Sequence, residues 1–183
     1  MKRNLVMSLL ALLAVGVAGC AYEQRVQTSQ PGPPPWVAQM PEDSAQSKVF
    51  VGIALADNIL DERNARQRAM EDVRTQIAQS IETLVVKEAT DIVQERGAAH
   101  LGQDVDKSAY YAEARIKARQ AMSGVELKAF YWEKWKQKTS FFKPGYTKYK
   151  YYVLAYMPRD QYEKLQQTVA GQIADEMLTP KAE

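Results

Sequence analysis

Cysteine and histidine are almost absent from this chain. Each occurs once among the 183 residues, as Cys20 and His100. A single cysteine excludes an intrachain disulfide. A single histidine, with no cluster of ligand residues beside it, argues against a zinc site and against histidine-based acid–base catalysis.

Sequence motifs of nucleotide-binding and nucleophilic enzymes are also missing. The chain has no glycine-rich segment in the pattern that holds a phosphate. Its serines Ser80, Ser108 and Ser123 lack the pattern of a nucleophile elbow. We therefore predict no catalytic residues, no metal ligands and no cofactor, and we expect that the protein is not an enzyme.

Long hydrophobic runs are limited to one near the start of the chain. It follows Lys2 and Arg3 and covers 5–18, roughly 14 residues, whereas a membrane-spanning helix needs about 20. A basic start, a short apolar run and the small residues Ala18 and Gly19 are typical of a secretory signal peptide. We predict that 1–19 is this signal and that the mature chain begins at Cys20.

The residues around Cys20 resemble the lipobox of bacterial lipoproteins. This resemblance implies a diacylglyceryl group on the Cys20 sulfur, cleavage before Cys20 and acylation of the new amino terminus. One acyl chain binds a membrane only marginally, whereas two or three chains anchor a protein stably. Ala21 stands where an aspartate retains such proteins at the inner membrane, so the resemblance implies an outer-membrane, lipid-anchored protein that faces the periplasm or the surface.

An excess of one charge is missing from the mature chain. Without Lys2 and Arg3, the 24 basic residues fall to 22, which equals the number of acidic residues. No global field then attracts nucleic acid, and we expect no nucleic-acid partner.

Prolines are concentrated just after the predicted cleavage site. Five of the eight prolines of the chain lie between Pro31 and Pro41, and such composition favours an extended segment. We predict a tether over 20–47, one folded domain over 48–179 and a tail over 180–183. Trp36 in the tether has two interpretations: a staple onto the domain, or a contact for a partner.

Hydrophobic spacing predicts the elements of the domain. A short apolar strand covers 48–55, and Gly52 within it indicates close backbone approach or a bulge. A helix then presents an apolar stripe at four-residue spacing: Ala65, Ala69, Val73, Ile77 and Ile81. The β-branched segment 81–94 fits a second strand, although its spacing would also allow that helix to continue.

The second half of the domain contains a helix, a hairpin and a final helix. We predict a helix over 104–122 with Val105, Ala109, Ala112, Ile116 and Met122 on one side. Alternating strands over 125–138 and 148–157 form the hairpin, and the final helix begins at Pro158. The order β-α-β-α-β-β-α predicts an α+β fold, in which a small, mostly antiparallel four-stranded sheet carries helices on one face.

The hairpin has an unusual composition. Residues 128–150 contain seven lysines and one acidic residue, Glu133, among many aromatic side chains. Basic and aromatic groups together bind phosphates and stack on ring systems. We predict an interaction surface on this hairpin, formed by Lys128, Trp132, Lys134, Trp135 and Lys136. The alternative is that one aromatic face is core and the lysines only keep an exposed strand soluble; on an edge strand, lysines would also block aggregation.

Several of these features together resemble the LPP-twenty type of small bacterial lipoproteins, which includes FlgP-like flagellar proteins. The matching pieces are the lipobox, the pair Pro35-Trp36, the strand over 49–54 and the alanine-spaced helix with its β-branched continuation. The resemblance covers roughly 36–157. It implies an outer-membrane lipoprotein that serves in envelope assemblies, and Cys20 is the one functional residue that it transfers.

The function that we expect is therefore a non-enzymatic, structural or assembly role in the cell envelope, with association to the flagellum as one form of it. Its expected partners are the membrane, through the lipid anchor, envelope or flagellar proteins, and further copies of the chain. The alternatives are an envelope module that binds glycan, lipopolysaccharide or anionic lipid, and an accessory regulator of cell-wall synthesis.

Overall fold

A long β-hairpin forms the centre of the fold. The computed structural model describes residues 22–97, 107–138 and 145–179. Its elements, in chain order, are β1 (Tyr22–Thr28), α1 (Pro35–Ala38), β2 (Ser47–Ala56), α2 (Glu62–Glu95), α3 (Lys107–Ala121), β3 (Glu126–Lys138), β4 (Tyr146–Pro158) and α4 (Arg159–Leu178).

The four strands form one antiparallel sheet in the order β1-β3-β4-β2. Helix α2 packs on β2 and β4, and α3 and α4 pack against α2. Side chains of β4 at alternate positions, from Tyr149 to Met157, are buried beneath these helices. The predicted α+β class, with a four-stranded antiparallel sheet and helices on one face, is confirmed.

The predicted second strand over 81–94 is wrong, because this segment continues α2. The helix has 34 residues and is about 51 Å long. Its buried positions keep helical spacing throughout, and in the second half they are Ile81, Val85, Val86, Ala89, Thr90 and Val93. Packing against α3 and α4 outweighs the strand propensity of the β-branched side chains. The helix ends at Glu95, and Gly97 just beyond it has a φ of 78°, which suits a left-handed cap.

The fourth strand comes instead from the segment just after the predicted cleavage site. Tyr22–Thr28, which we expected within the extended tether, pairs with β3 as an edge strand. The proline-rich segment after it connects the two opposite edges of the sheet. Trp36 in this segment is half-buried and lines a cavity of 540 Å³ with Leu154 and Tyr156 of β4. This placement fits the interpretation of Trp36 as a staple onto the domain.

The buried face of α3 also differs from the predicted stripe. Ala114 and Ala118 are fully buried, whereas half of the Ile116 side chain is exposed. Small alanine side chains allow α3 to approach α2 closely. Val105 lies outside the described residues.

The free edge of β2 is covered by side chains of α2. Asp72 Oδ2 accepts a hydrogen bond from the Ile53 amide at 2.8 Å, and Gln76 Nε2 donates one to the Val51 carbonyl at 2.9 Å. Unpaired amides and carbonyls on an edge strand promote pairing with other chains. These two contacts satisfy such groups within the molecule.

Gly52 allows α2 to lie directly on β2, which confirms the close approach indicated by the sequence. A Cβ atom at this position would lie 2.1 Å from the Ala69 carbonyl oxygen and 2.6 Å from Val73 Cγ2. The obstacle is the helix backbone itself, which cannot rotate away as a flexible side chain does. The contact between β2 and α2 therefore requires glycine.

We expect Gly52→Ala to lower the free energy of unfolding by about 3 kcal/mol, the upper range for overpacking a core. Urea denaturation monitored by circular dichroism measures this change. The matched control is Gly171→Ala in α4, where a Cβ meets no atom within 4 Å and alanine should stabilise the helix by about 0.5–1 kcal/mol. Equal stability of the two variants would contradict the proposed contact.

Candidate functional site

The predicted interaction surface is divided between the two faces of the sheet. A bulge between Leu127 and Ala129 shifts the alternation of β3. Side chains at alternate positions from Phe130 onward face the helices, while those from Tyr131 onward lie on the opposite, outer face. The structure therefore places Trp132, Lys134 and Lys136 on the helix face, Trp135 on the outer face and Lys128 at the bulge.

Lys128 lies apart from the other four predicted residues. It forms an ion pair with Glu126 at the beginning of β3, and its Nζ atom is 5.9 Å from the ring centre of Tyr156. The other four lie toward the opposite end of the strand. β1 pairs with β3 only from Glu133 to Lys138, so Lys134 and Lys136 do not lie on a free edge. Phe130 and Trp132 pack against the core, which fits the alternative that one aromatic face of the hairpin is core.

The outer face contains a buried carboxylate that sequence reasoning missed. Glu133 is 3% exposed. Its Oε1 atom accepts hydrogen bonds from Arg25 Nη1 at 3.0 Å and Tyr131 Oη at 3.1 Å, and its Oε2 atom accepts from Trp135 Nε1 at 2.8 Å and Tyr152 Oη at 3.4 Å. A carboxylate has about four acceptor positions, so this group is fully satisfied.

The surroundings of Glu133 favour its ionised form. Burial alone would raise its pKa, but the hydrogen bonds from Arg25, Trp135 and Tyr131 outweigh burial and lower the pKa below its ordinary value. Burial, together with the Glu133 charge, raises the pKa of Tyr152 to about 12. The carboxylate thus stays ionised and the phenol stays a neutral donor around neutral pH.

One sequence signal pointed to this network. Glu133 is the one acidic residue between 128 and 150, and Tyr131 and Trp135 flank it two positions away on either side. In a strand, residues two apart share a face, and both flanking side chains carry a polar donor. No sequence spacing indicated the partners Arg25 and Tyr152. Arg25 lies 108 positions and Tyr152 lies 19 positions from Glu133 in sequence.

Lysine side chains lie along aromatic rings toward the end of the hairpin. Lys150 Nζ is 4.2 Å from the ring centre of Trp135, and Lys134 Nζ is 5.7 Å from that of Tyr149. Lysine stems cover apolar surface in this arrangement while the ammonium groups stay in water. The rings are thereby partly shielded and the positive charges are held in place at the surface.

Over 22–97, 107–138 and 145–179, no three histidine, cysteine, aspartate or glutamate side chains lie close enough to hold a metal ion. None of the helices there is long and apolar enough to cross a membrane. Ser80 is part of an internal contact, since its hydroxyl binds the Ile77 carbonyl and lies 2.9 Å from Tyr162 Oη. Cys20 and His100 lie outside the described residues.

Comparison of the chain with protein-family models, with curated proteins and with solved structures found no match. The resemblance to LPP-twenty lipoproteins therefore stays a prediction.

We expect Glu133→Gln to lower the free energy of unfolding at pH 7 by about 2–3 kcal/mol, because three or four donors lose a charged acceptor. A carboxylate whose pKa is lowered by folding contributes stability above its unfolded pKa, and that contribution disappears as the pH falls through the folded pKa. The difference between wild type and variant should therefore shrink below about pH 4.5. Urea denaturation at pH 7 and pH 3.5 measures it.

The matched control is Glu126→Gln on the same strand. Glu126 also forms an ion pair, but 60% of its side chain is exposed, and such pairs contribute little to stability. The control should unfold like the wild type at pH 7. A Glu133→Gln protein as stable as this control would show that the buried carboxylate does not hold the sheet together.

Proposed function

We propose that the protein is a non-enzymatic, lipid-anchored component of the bacterial outer membrane with a structural or assembly role in the envelope. The observation that carries this proposal is the sequence around Cys20, where a basic start, a short apolar run and small residues precede the one cysteine of the chain. Acyl chains on that residue would hold the domain at the membrane.

The position of β1 supports a domain held close to that membrane. The sheet begins at Tyr22, two residues after Cys20. Two residues of extended chain span at most about 7 Å. The proline-rich segment, which we expected to act as a spacer, comes after β1 and connects two strands of the same sheet. The membrane anchor and the sheet are therefore joined by almost no intervening chain.

This short connection favours the structural role over a regulator that must reach across the periplasm to a cell-wall synthase. A long reach requires an extended linker between anchor and domain, and here the single residue Ala21 separates Cys20 from the first strand. The polar groups at the centre of the sheet also support a structural role. Glu133 and its donors satisfy one another within the molecule.

Replacement of the anchor residue tests the lipoprotein proposal directly. We expect Cys20→Ser to accumulate as the uncleaved precursor and to incorporate no radioactive palmitate, because the variant lacks the sulfur that carries the diacylglyceryl group. Ala21→Asp is the matched control: it should be labelled and cleaved like the wild type but fractionate with the inner membrane. Equal labelling of wild type and Cys20→Ser would contradict the proposal.

The assembly role predicts neighbours in intact cells. A photoreactive side chain at Leu55, which is 62% exposed on β2, should yield discrete crosslinked products with a second copy or an envelope protein, because large exposed apolar side chains mark contact surfaces. The control position is the exposed Lys87 on α2. A chain that remains a strict monomer without adducts from either position would count against an assembly role.

A further inference from the structure

One end of the sheet brings together the first residue of β1, the last residue of β3 and the first residue of β4. Tyr22 pairs with Lys138, and Gln137 pairs with both Glu23 and Tyr146. Cys20 precedes Tyr22 by two residues, and two residues of chain span at most about 7 Å. Any acyl chains on Cys20 would insert into the membrane beside this end of the sheet.

This end of the sheet carries an excess of positive charge. We call it the hairpin end and define it by the cations Arg25, Lys134, Lys136, Lys148 and Lys150 and by the carboxylates Glu23 and Glu133. Glu133 pairs with Arg25, and Glu23 lies 3.4 Å from Lys150. Among the described residues, no carboxylate forms an ion pair with the remaining three lysines.

Aromatic side chains accompany these lysines. Trp135 is half-buried, and 40% of Tyr146 is exposed. Lys148 Nζ lies 5.2 Å from the ring centre of Tyr146. Amphipathic aromatic rings occupy the headgroup level of membranes, and lysines beside them reach the phosphates. The hairpin end therefore has the composition of a surface at a lipid–water boundary.

We propose that the hairpin end binds the phosphate groups of anionic phospholipids in the membrane that holds the Cys20 acyl chains. This inference rests on the proposed lipid anchor. The anchor places the hairpin end about one Debye length from the headgroups, a distance at which salt weakens but does not abolish the attraction of lysines to an anionic surface. The acyl chains and the lysines then contact the membrane side by side. Together they hold the domain with its strands pointing away from the bilayer.

The test uses the acylated full protein reconstituted into vesicles. Acylation removes the Cys20 thiol, so a cysteine introduced by Thr147→Cys takes a fluorophore selectively at the hairpin end. A second labelled protein, Ser123→Cys, carries the fluorophore just before β3. Along the strand, this position lies about 35 Å from the hairpin end. A headgroup-attached quencher reports which end lies at the membrane, in vesicles with phosphatidylglycerol or with phosphatidylcholine alone.

We expect stronger quenching at position 147 than at position 123, with an increase in phosphatidylglycerol vesicles that disappears in 1 M salt. Lys136→Glu with Lys148→Glu should abolish this increase. The matched control reverses two exposed lysines on α2 and α4, Lys87→Glu with Lys164→Glu, and should behave like the wild type. Inorganic phosphate at millimolar concentration should not compete, because the surface recognises an array of charges.

Vesicle flotation separates failure of this inference from failure of the anchor. Protein that floats with both vesicle types but shows equal quenching at position 147 in each would overturn headgroup binding and leave the lipid anchor intact. If the hairpin-end variant and the control variant both lost the increase in quenching with phosphatidylglycerol, headgroup binding by the hairpin end would also be overturned. The increase would then depend on the overall charge of the protein. Wild-type protein that fails to float would overturn the anchor and the inference together.

Discussion

The hydrogen-bonded carboxylate of Glu133 is the interaction on which the arrangement of the sheet depends. A buried charge is costly unless donors surround it, and the donors here come from three strands: Arg25 of β1, Tyr131 and Trp135 of β3, and Tyr152 of β4. A slip of any strand by one residue would turn its donor to the other face. One charge therefore fixes the register of the hairpin and attaches β1 to it.

The attachment of β1 has consequences for the whole molecule. Arg25 of β1 forms an ion pair with the buried Glu133 carboxylate, and its positive charge balances the negative charge of that group. Through this contact the segment Tyr22–Thr28 becomes the edge of the sheet, and the proline-rich segment becomes a crossing between the edges. For the same reason, the proposed anchor at Cys20 would lie beside the basic hairpin end. Under that proposal, the internal electrostatics of the sheet would determine which end of the domain faces the membrane.

The sequence allowed prediction of features that depend on local periodicity. The hairpin alternation, the stripe from Ala65 to Ile81 and the close approach at Gly52 all follow from spacing within a few residues. The segment 81–94 was misassigned because its β-branched propensity and its helical period disagree, and packing by α3 and α4 decides between them. Strand β1 was missed because its pairing partner lies more than a hundred residues away. For the site, composition identified the hairpin, but a single bulge determined which side chains share a face.

The direction of α2 determines which part of the domain lies opposite the hairpin end. Its first turns lie near Phe130 and Trp132, since Glu62 lines a small cavity with both rings. The helix crosses β2 at Gly52, where Ala69 and Val73 contact the strand. It then continues to Glu95, and just beyond it Arg96 forms an ion pair with Asp175 near the end of α4. A helix about 51 Å long exceeds the length of β2, about 34 Å for its ten residues. If the hairpin end faces the bilayer, the surface farthest from the membrane is helical, and partners in the periplasm would meet the ends of α2 and α4 before they meet the sheet.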